Sequence, residues 1–305
     1  MPPADPAFDS RLRREADRWL TVRTHDGNRP IRWDELEEFE FDGQPFKLMD
    51  RQRGIRKPRQ LTAALSIRTT WTPPGRTRPY EDGVGPDGLI RYKWRGDDPE
   101  HAENRALRAA VTEQSPLIWF HAVAEGVYQP IYPVFVLDEE PAQQQFVIAP
   151  DSVREIVVPG RPLDEHLRRY ALRQTRQRLH QPVFRATVLH AYGTRCAVCS
   201  LGHPQLLDAA HIVADREESG IASVRNGLAL CKIHHAAYDV SVLGIRPDLV
   251  VEIRGDVLAE IDGPMLEHGL QRRHGEPLMA LPRAKAEHPD VTLLEQRYAT
   301  FRAAG

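Results

Sequence analysis

The chain is short of several features that would decide its class at once. It has only three cysteines in 305 residues. That is too few for the disulfide framework of a secreted protein, and it points to a reducing, cytoplasmic setting. No apolar run nears the ~20 residues that a membrane-spanning helix needs. The first residues, Met1-Pro2-Pro3-Ala4-Asp5, lack the basic-then-apolar order of a secretory signal. An excess of charge of one sign is missing too: 41 basic against 43 acidic residues leave a net charge of −2. The molecule is therefore no polycation, and any nucleic-acid surface must be local. Internal repeats and low-complexity tracts are also absent. What is present is length, with 41% hydrophobic residues, enough for two domains with cores of their own.

The expected fold class is α+β. Residues 8–22 mix apolar and charged positions in the manner of an amphipathic helix. Residues 31–48 alternate acidic and apolar side chains around a turn at Phe41-Asp42-Gly43-Gln44-Pro45. Strand-like pieces follow at 65–71, 89–94, 117–123, 132–137 and 146–148, with a helix predicted at 99–111. The first 155 residues thus read as a curved β-sheet or barrel with a few helices. From 163 to about 191 the pattern is helical, with Leu167, Leu172, Leu179 and Phe184 apolar. Arg168, Arg169, Arg173, Arg176, Arg178 and Arg185 crowd the polar positions there. This basic helical linker, 156–190, is either a solvated face or a surface that tracks phosphates. The segment 251–305 has proline-punctuated loops and a predicted helix at 292–303, suited to packing or dimer formation.

All three cysteines fall in two short runs, Cys196-Ala197-Val198-Cys199 and Cys231-Lys232-Ile233-His234-His235. CxxC followed by CxxH offers Cys196, Cys199, Cys231 and His234, the four ligands that a tetrahedral structural zinc takes. Such an ion would staple two loops that lack a large core. The alternative is a set of buried free cysteines beside an exposed histidine. Between the runs lie Asp208-Ala209-Ala210-His211 and Arg225-Asn226-Gly227. A strand is predicted at 206–211 and a helix from 226 onward. His234 and His235 are adjacent, so on a helix they point about 100° apart, and one can face a zinc while the other faces elsewhere.

This order resembles the HNH nuclease family, a ββα-metal fold, over residues 192–250. The resemblance implies metal-assisted phosphodiester hydrolysis of DNA. His211 matches the general base that takes a proton from water, a task suited to an imidazole. Asn226 matches the asparagine that orients the loop and the base. His235 matches the ligand of a catalytic divalent ion, Mg²⁺ or Mn²⁺. Many members carry an acid or histidine just before the base, where this chain has Ala210. Asp208 is the nearest acid on the strand and would reach the ion through a local irregularity such as a bulge. Asp239, one turn after His235, is the second candidate.

Upstream, Tyr80-Glu81-Asp82-Gly83 leads into Leu89-Ile90-Arg91-Tyr92-Lys93-Trp94, then His101-Ala102-Glu103-Asn104-Arg105-Ala106-Leu107. This order, over residues 50–140, resembles the SRA (SET and RING-associated) domain, which binds modified cytosine in DNA. The resemblance implies that Tyr80 and Tyr92 sandwich a flipped base and that Asp82 accepts from its exocyclic amine. The family's acid sits one residue later, at Gly83, which keeps Asp87 in reserve. The basic run Arg51, Arg53, Arg56, Lys57 and Arg59 would hold phosphates or simply be solvated.

The chain is thus expected to comprise an SRA-like reader (1–155), the basic linker (156–190), a zinc-stapled HNH nuclease (191–250) and a packing extension (251–305). The expected function is a modification-dependent restriction endonuclease on double-stranded DNA with 5-methylcytosine or 5-hydroxymethylcytosine, acting as a homodimer. The alternatives are an HNH nuclease whose first domain reads another DNA feature, and a non-cleaving modified-DNA binder.

Overall fold

A computed structural model describes residues 5–73, 83–85, 89–154, 165–214 and 223–304. The chain divides into two compact units, Met1–Val183 and Phe184–Gly305.

In the first unit, helix α1 (Pro6–Thr24) starts where Asp5 accepts a hydrogen bond from the Ala7 amide and Pro6 takes the first position. Its buried Leu12, Ala16 and Leu20 recur at helical spacing. Strand β1 (Ile31–Arg32), the short helix α2 (Trp33–Leu36) and the hairpin of β2 (Glu40–Phe41) and β3 (Gln44–Pro45) follow. The predicted turn is the tip of that hairpin, where Asp42 and Gly43 have φ of 50° and 70°.

The main sheet uses β4 (Ile55–Arg56), β5 (Ser66–Thr69), β6 (Gly83–Val84), β7 (Ile90–Lys93), β8 (Leu117–Ala124), β9 (Val127–Glu140) and β10 (Gln145–Pro150). Their order is β4-β5-β8-β9-β10-β7-β6, with β1 added to β9. Among the described residues, only β5 and β8 pair in parallel. The sheet curls but its path stays open, as half a barrel. Alternation along β8 divides the core. Ile118, Phe120 and Ala122 pack with the α1 residues. Leu117 and Trp119 pack with Leu107 of α3 (Ala102–Glu113), Trp94 and Phe146. Helices α4 (Asp151–Arg154) and α5 (Glu165–Thr175) follow the sheet.

Helix continues from α5 through a π-turn, Arg176–His180, into α6 (Gln181–Ala191). Leu179 packs in the core of the first unit, whereas Phe184, Val188 and Leu189 pack in that of the second. The second unit holds β11 (Leu207–His211), β12 (Gly227–Cys231), α7 (Lys232–Asp239), β13 (Leu243–Ile245), β14 (Val251–Ile253), α8 (Gly255–Ala259), α9 (Pro264–Gly269) and α10 (Val291–Ala303). Leu228, Leu230, Ile253, Leu278 and Leu294 share its core, so residues beyond 250 pack with the cysteine-bearing segment.

One predicted element is corrected. The stretch from Asn226 does not begin a helix: Gly227–Cys231 is a strand in register with Leu207–His211, and helix starts at Lys232. Gly-Leu-Ala-Leu-Cys is buried throughout, and so short an apolar run carries no period that separates strand from helix.

Candidate metal centre and active site

The β11–β12 ladder and α7 place every candidate residue of the second unit. Cys231 ends β12 and caps α7, while Cys196 and Cys199 sit in the turn after α6. One donor atom from each of Cys196, Cys199, Cys231 and His234 lies within 4.8 Å of the others. The His234 Nδ1 is 3.1 Å from the Cys231 sulfur and 3.5 Å from that of Cys196. Its Nε2 lies 2.8 Å from the Gly269 carbonyl. Donation from Nε2 to that carbonyl turns Nδ1 toward the sulfurs, the arrangement that readies a histidine for a metal. Burial opposes a charge on His234, but the contacts with Cys196, Cys231 and Gly269 outweigh it and hold the imidazole up to about 10. A bound cation would take the place of that proton. Three sulfurs and one imidazole within this radius fit a tetrahedral zinc site.

His235 occupies the next direction around α7 and meets both acids considered from the sequence. Asp208 Oδ2 is 3.7 Å from its Nδ1, and Asp239 Oδ2 is 3.5 Å from its Nε2. Asp208 gets there with the ladder in unbroken register from Leu207 to His211, so no bulge is involved. Each carboxylate faces a different ring nitrogen, so an ion held through one nitrogen has one of these acids beside it. Asp208 also pairs with Lys232 at 2.9 Å and Arg185 at 3.5 Å. Burial works against its ionisation, yet the contacts with His235 and Lys232 keep it well below the usual carboxylate range. Asp208 in turn raises the His235 imidazole, ahead of the smaller pull of Asp239.

His211 ends β11 with its ring stacked on Phe184, centroids 3.9 Å apart and planes 11° from parallel. Its ladder partner is Gly227. A Cβ at Gly227 would lie 2.5 Å from Val188 Cγ2 and 3.2 Å from Phe184 Cζ, so glycine here lets α6 approach the strand pair and supply Phe184. Asn226 is fully buried. Its Oδ1 accepts from the Val213 amide and its Nδ2 donates to the Val213 carbonyl, both at 2.9 Å. The Asn226 carbonyl accepts from the Ile212 amide. Asn226 therefore fixes the two residues that follow His211.

The sequence assigns no site role to Phe184, Lys232 or the Gly269 carbonyl. Gly227 was the available signal for the first, and Lys232 lies inside the CxxH run. A backbone carbonyl has no sequence signature. Arg185 donates to the carbonyls of Pro204 and Leu207 besides pairing with Asp208, so it is engaged in the fold; Arg169, Arg173 and Arg178 are exposed.

In the first unit, Tyr80, Asp82 and Asp87 lie outside the described residues. Tyr92 is buried, and its hydroxyl lies 3.0 and 3.1 Å from the Gly54 and Arg68 carbonyls, which accept from it. It lines a cavity of about 170 Å³ with Trp94, Arg68 and Glu103. In the basic run, Arg51 lies over the Trp33 ring and Arg56 donates to the Lys47 carbonyl.

Residues 196–246 match the HNH endonuclease family. The match takes in all four clustered donors together with Asp208, His211, Asn226, His235 and Asp239, and gives the second unit an HNH endonuclease domain. No curated protein matches the chain. Among solved structures, a modification-dependent TagI restriction endonuclease overlaps 82% of this chain and 85% of its own, at 18% identity and a TM-score of 0.29. A likeness at that score is too slight to say anything of this chain's fold or chemistry.

Proposed function

We propose that this protein, a metal-dependent DNA endonuclease by its HNH domain, cuts DNA that carries 5-methylcytosine or 5-hydroxymethylcytosine, with Met1–Val183 as the reader. The observation that carries the nuclease chemistry is the linkage of His211, Asn226 and His235 within one ββα unit. His211, held flat against Phe184, takes the proton of the attacking water. Asn226 keeps the chain after His211 in place through Val213. His235, with Asp208 or Asp239, would hold a divalent ion, Mg²⁺ or Mn²⁺, which when bound stabilises charge on the phosphate and the leaving oxygen. Cys196, Cys199, Cys231 and His234 would hold a structural Zn²⁺. Support for the reader comes from the order of Tyr80, Asp82 and Tyr92 in the sequence and from a small cavity beside Tyr92. One site cuts one strand, so a double-strand break takes a homodimer or two binding events.

A plasmid prepared unmodified, with 5-methylcytosine and with 5-hydroxymethylcytosine tests both halves with Mg²⁺ or Mn²⁺. Cutting of modified DNA alone is expected, and His211→Ala should lower its rate by a factor of about 10² to 10⁴. Equal cutting of all three plasmids would remove the modified-base reader. Cutting that survives His211→Ala would remove the assigned base.

A further inference from the structure

The chain carries 43 acidic residues, yet none lies between Glu165 and Asp208, its longest stretch without one. Arg168, Arg169, Arg173, Arg176 and Arg178 fall at the start of that gap, in a molecule whose net charge is −2. Helix α5 and the π-turn carry this part of the chain. Ala171, Thr175 and Leu179 are buried there at four-residue spacing, and Ala171 and Leu179 join the apolar clusters of the first unit. Arg169 and Arg173 are each two residues from Ala171, so they point about 200° away from it around the axis. Both are exposed.

The π-turn extends the row. In an unbroken α-helix Arg178, five residues after Arg173, would sit about 140° around the axis from it. The turn Arg176–His180 closes its bonds five residues apart. That lowers the rotation per residue and swings Arg178, also exposed, back toward the line of the other two. Pro182 gives the turn its cause: it has no amide to donate, and its ring crowds the carbonyl four residues earlier, that of Arg178. Successive arginines of the row then stand about 6 to 7 Å apart along the axis, far enough to meet separate phosphates.

These guanidinium groups are also free. Among the described residues none of the three pairs with a carboxylate, and Glu165, one turn ahead of Arg169, makes no ion pair with it. Arg11, Arg32 and Arg272 are exposed as well, but they hold Asp42, Asp34 and Glu267 at 2.9, 2.8 and 2.6 Å. An arginine neutralised within the fold has little charge left for a partner, whereas a row that is not neutralised attracts a polyanion. Tyr170, 42% exposed, stands beside Arg169, and a tyrosine hydroxyl also donates to phosphates.

We infer that Arg169, Arg173 and Arg178 form a surface that tracks the backbone of double-stranded DNA, adding affinity without reading sequence or modification. DNA is the polyanion that an HNH endonuclease meets. The inference therefore rests on the reading of the chain as a DNA endonuclease and is independent of which base the first unit reads. Each arginine that meets a phosphate releases a counterion, so its contribution is visible as salt dependence.

The test uses the full chain with His211→Ala to silence cutting, and one duplex prepared with cytosine or with 5-methylcytosine. Binding is followed by fluorescence anisotropy over a series of salt concentrations. Arg169→Gln, Arg173→Gln and Arg178→Gln should each lower the slope of log affinity against log salt by about 0.9, and the three together by about 2.7. The fall should be equal on the two duplexes, and Lys at the same positions should restore the slope. Arg11→Gln and Arg272→Gln, which remove the same charge from arginines already held by carboxylates, should leave it unchanged. Thermal melting checks that each variant folds. A folded triple variant with the parent's slope overturns the inference and leaves the nuclease reading standing. A loss of affinity at unchanged slope overturns it too, since disturbed packing would cause that. So does a loss confined to the methylated duplex, which would place these arginines in the base reader. A parent that binds neither duplex removes the inference together with the DNA endonuclease reading.

Discussion

The two units hold their candidate sites in place by opposite means. In Phe184–Gly305, the four donors come from the turn after α6 and from the junction of β12 with α7, and one ion would bind them together. The strands beside them are five residues each. In Met1–Val183, the cavity wall is gathered from stretches between Gln52 and Glu103. It is held by a wide sheet with packed clusters on both faces and by the polar stitches of Tyr92 and Asn104. The first design adds, to an apolar core of its own, one centre that all its ligands share. The second spreads its support over many contacts, each worth little alone. Loss of a single residue should therefore be catastrophic in one unit and graded in the other.

Removal of the metal should give the largest effect. Structural zinc contributes about 10–16 kcal/mol in small zinc-stapled domains, more than most domains hold in total. Cys231→Ser, or treatment with a strong chelator, should unfold the second unit and abolish cutting. The first unit should still melt as a unit of its own. Metal analysis, melting followed separately in each unit, and limited proteolysis yielding a fragment that ends near Val183 would read this out. A Cys231→Ser protein that keeps its zinc and a single unchanged transition would end the contrast.

An intermediate effect is expected at Asn226. Asn226→Ala leaves the buried amide and carbonyl of Val213 without partners, at about 1–3 kcal/mol each, and frees the residues after His211. Destabilisation confined to the second unit should accompany a cutting rate at least tenfold lower, with zinc content unchanged. An unaltered rate in the folded variant would show that His211 needs no such support.

The same contrast explains what could be read in the chain before its fold was known. Cys196, Cys199, Cys231 and His234 announce themselves because their spacing is local, and the helical turn that carries His234 and His235 fixes their divergence. The acids beside His235 were legible as candidates, but the alternation rule pointed to a bulge at Asp208 that the regular ladder does not contain. Phe184 meets His211 from an element 27 positions upstream, and only the glycine at 227 hinted at so close an approach. Trp94 and Glu103 read as the end of a strand and the start of a helix. Their meeting with Arg68 depends on the crossing order of the sheet, which hydrophobic periodicity does not encode.

The smallest effect should come from Tyr92→Phe. The ring and its packing remain, and the single hydroxyl proton, shared between the carbonyls of Gly54 and Arg68, is worth about 1 kcal/mol. For a unit of this size that is a fall of about 2–4 °C in its melting temperature, with the second unit unaffected. Gly54→Ala should do more harm at the same place, because its new Cβ meets the hydroxyl at 2.9 Å and must push Tyr92 away from both carbonyls. The order Gly54→Ala worse than Tyr92→Phe, with both far milder than Cys231→Ser, is what distributed support predicts. If Tyr92→Phe instead unfolded its unit outright, the curled sheet would be held at one point, just as the cysteine-bearing unit is, and the distinction between the two would disappear.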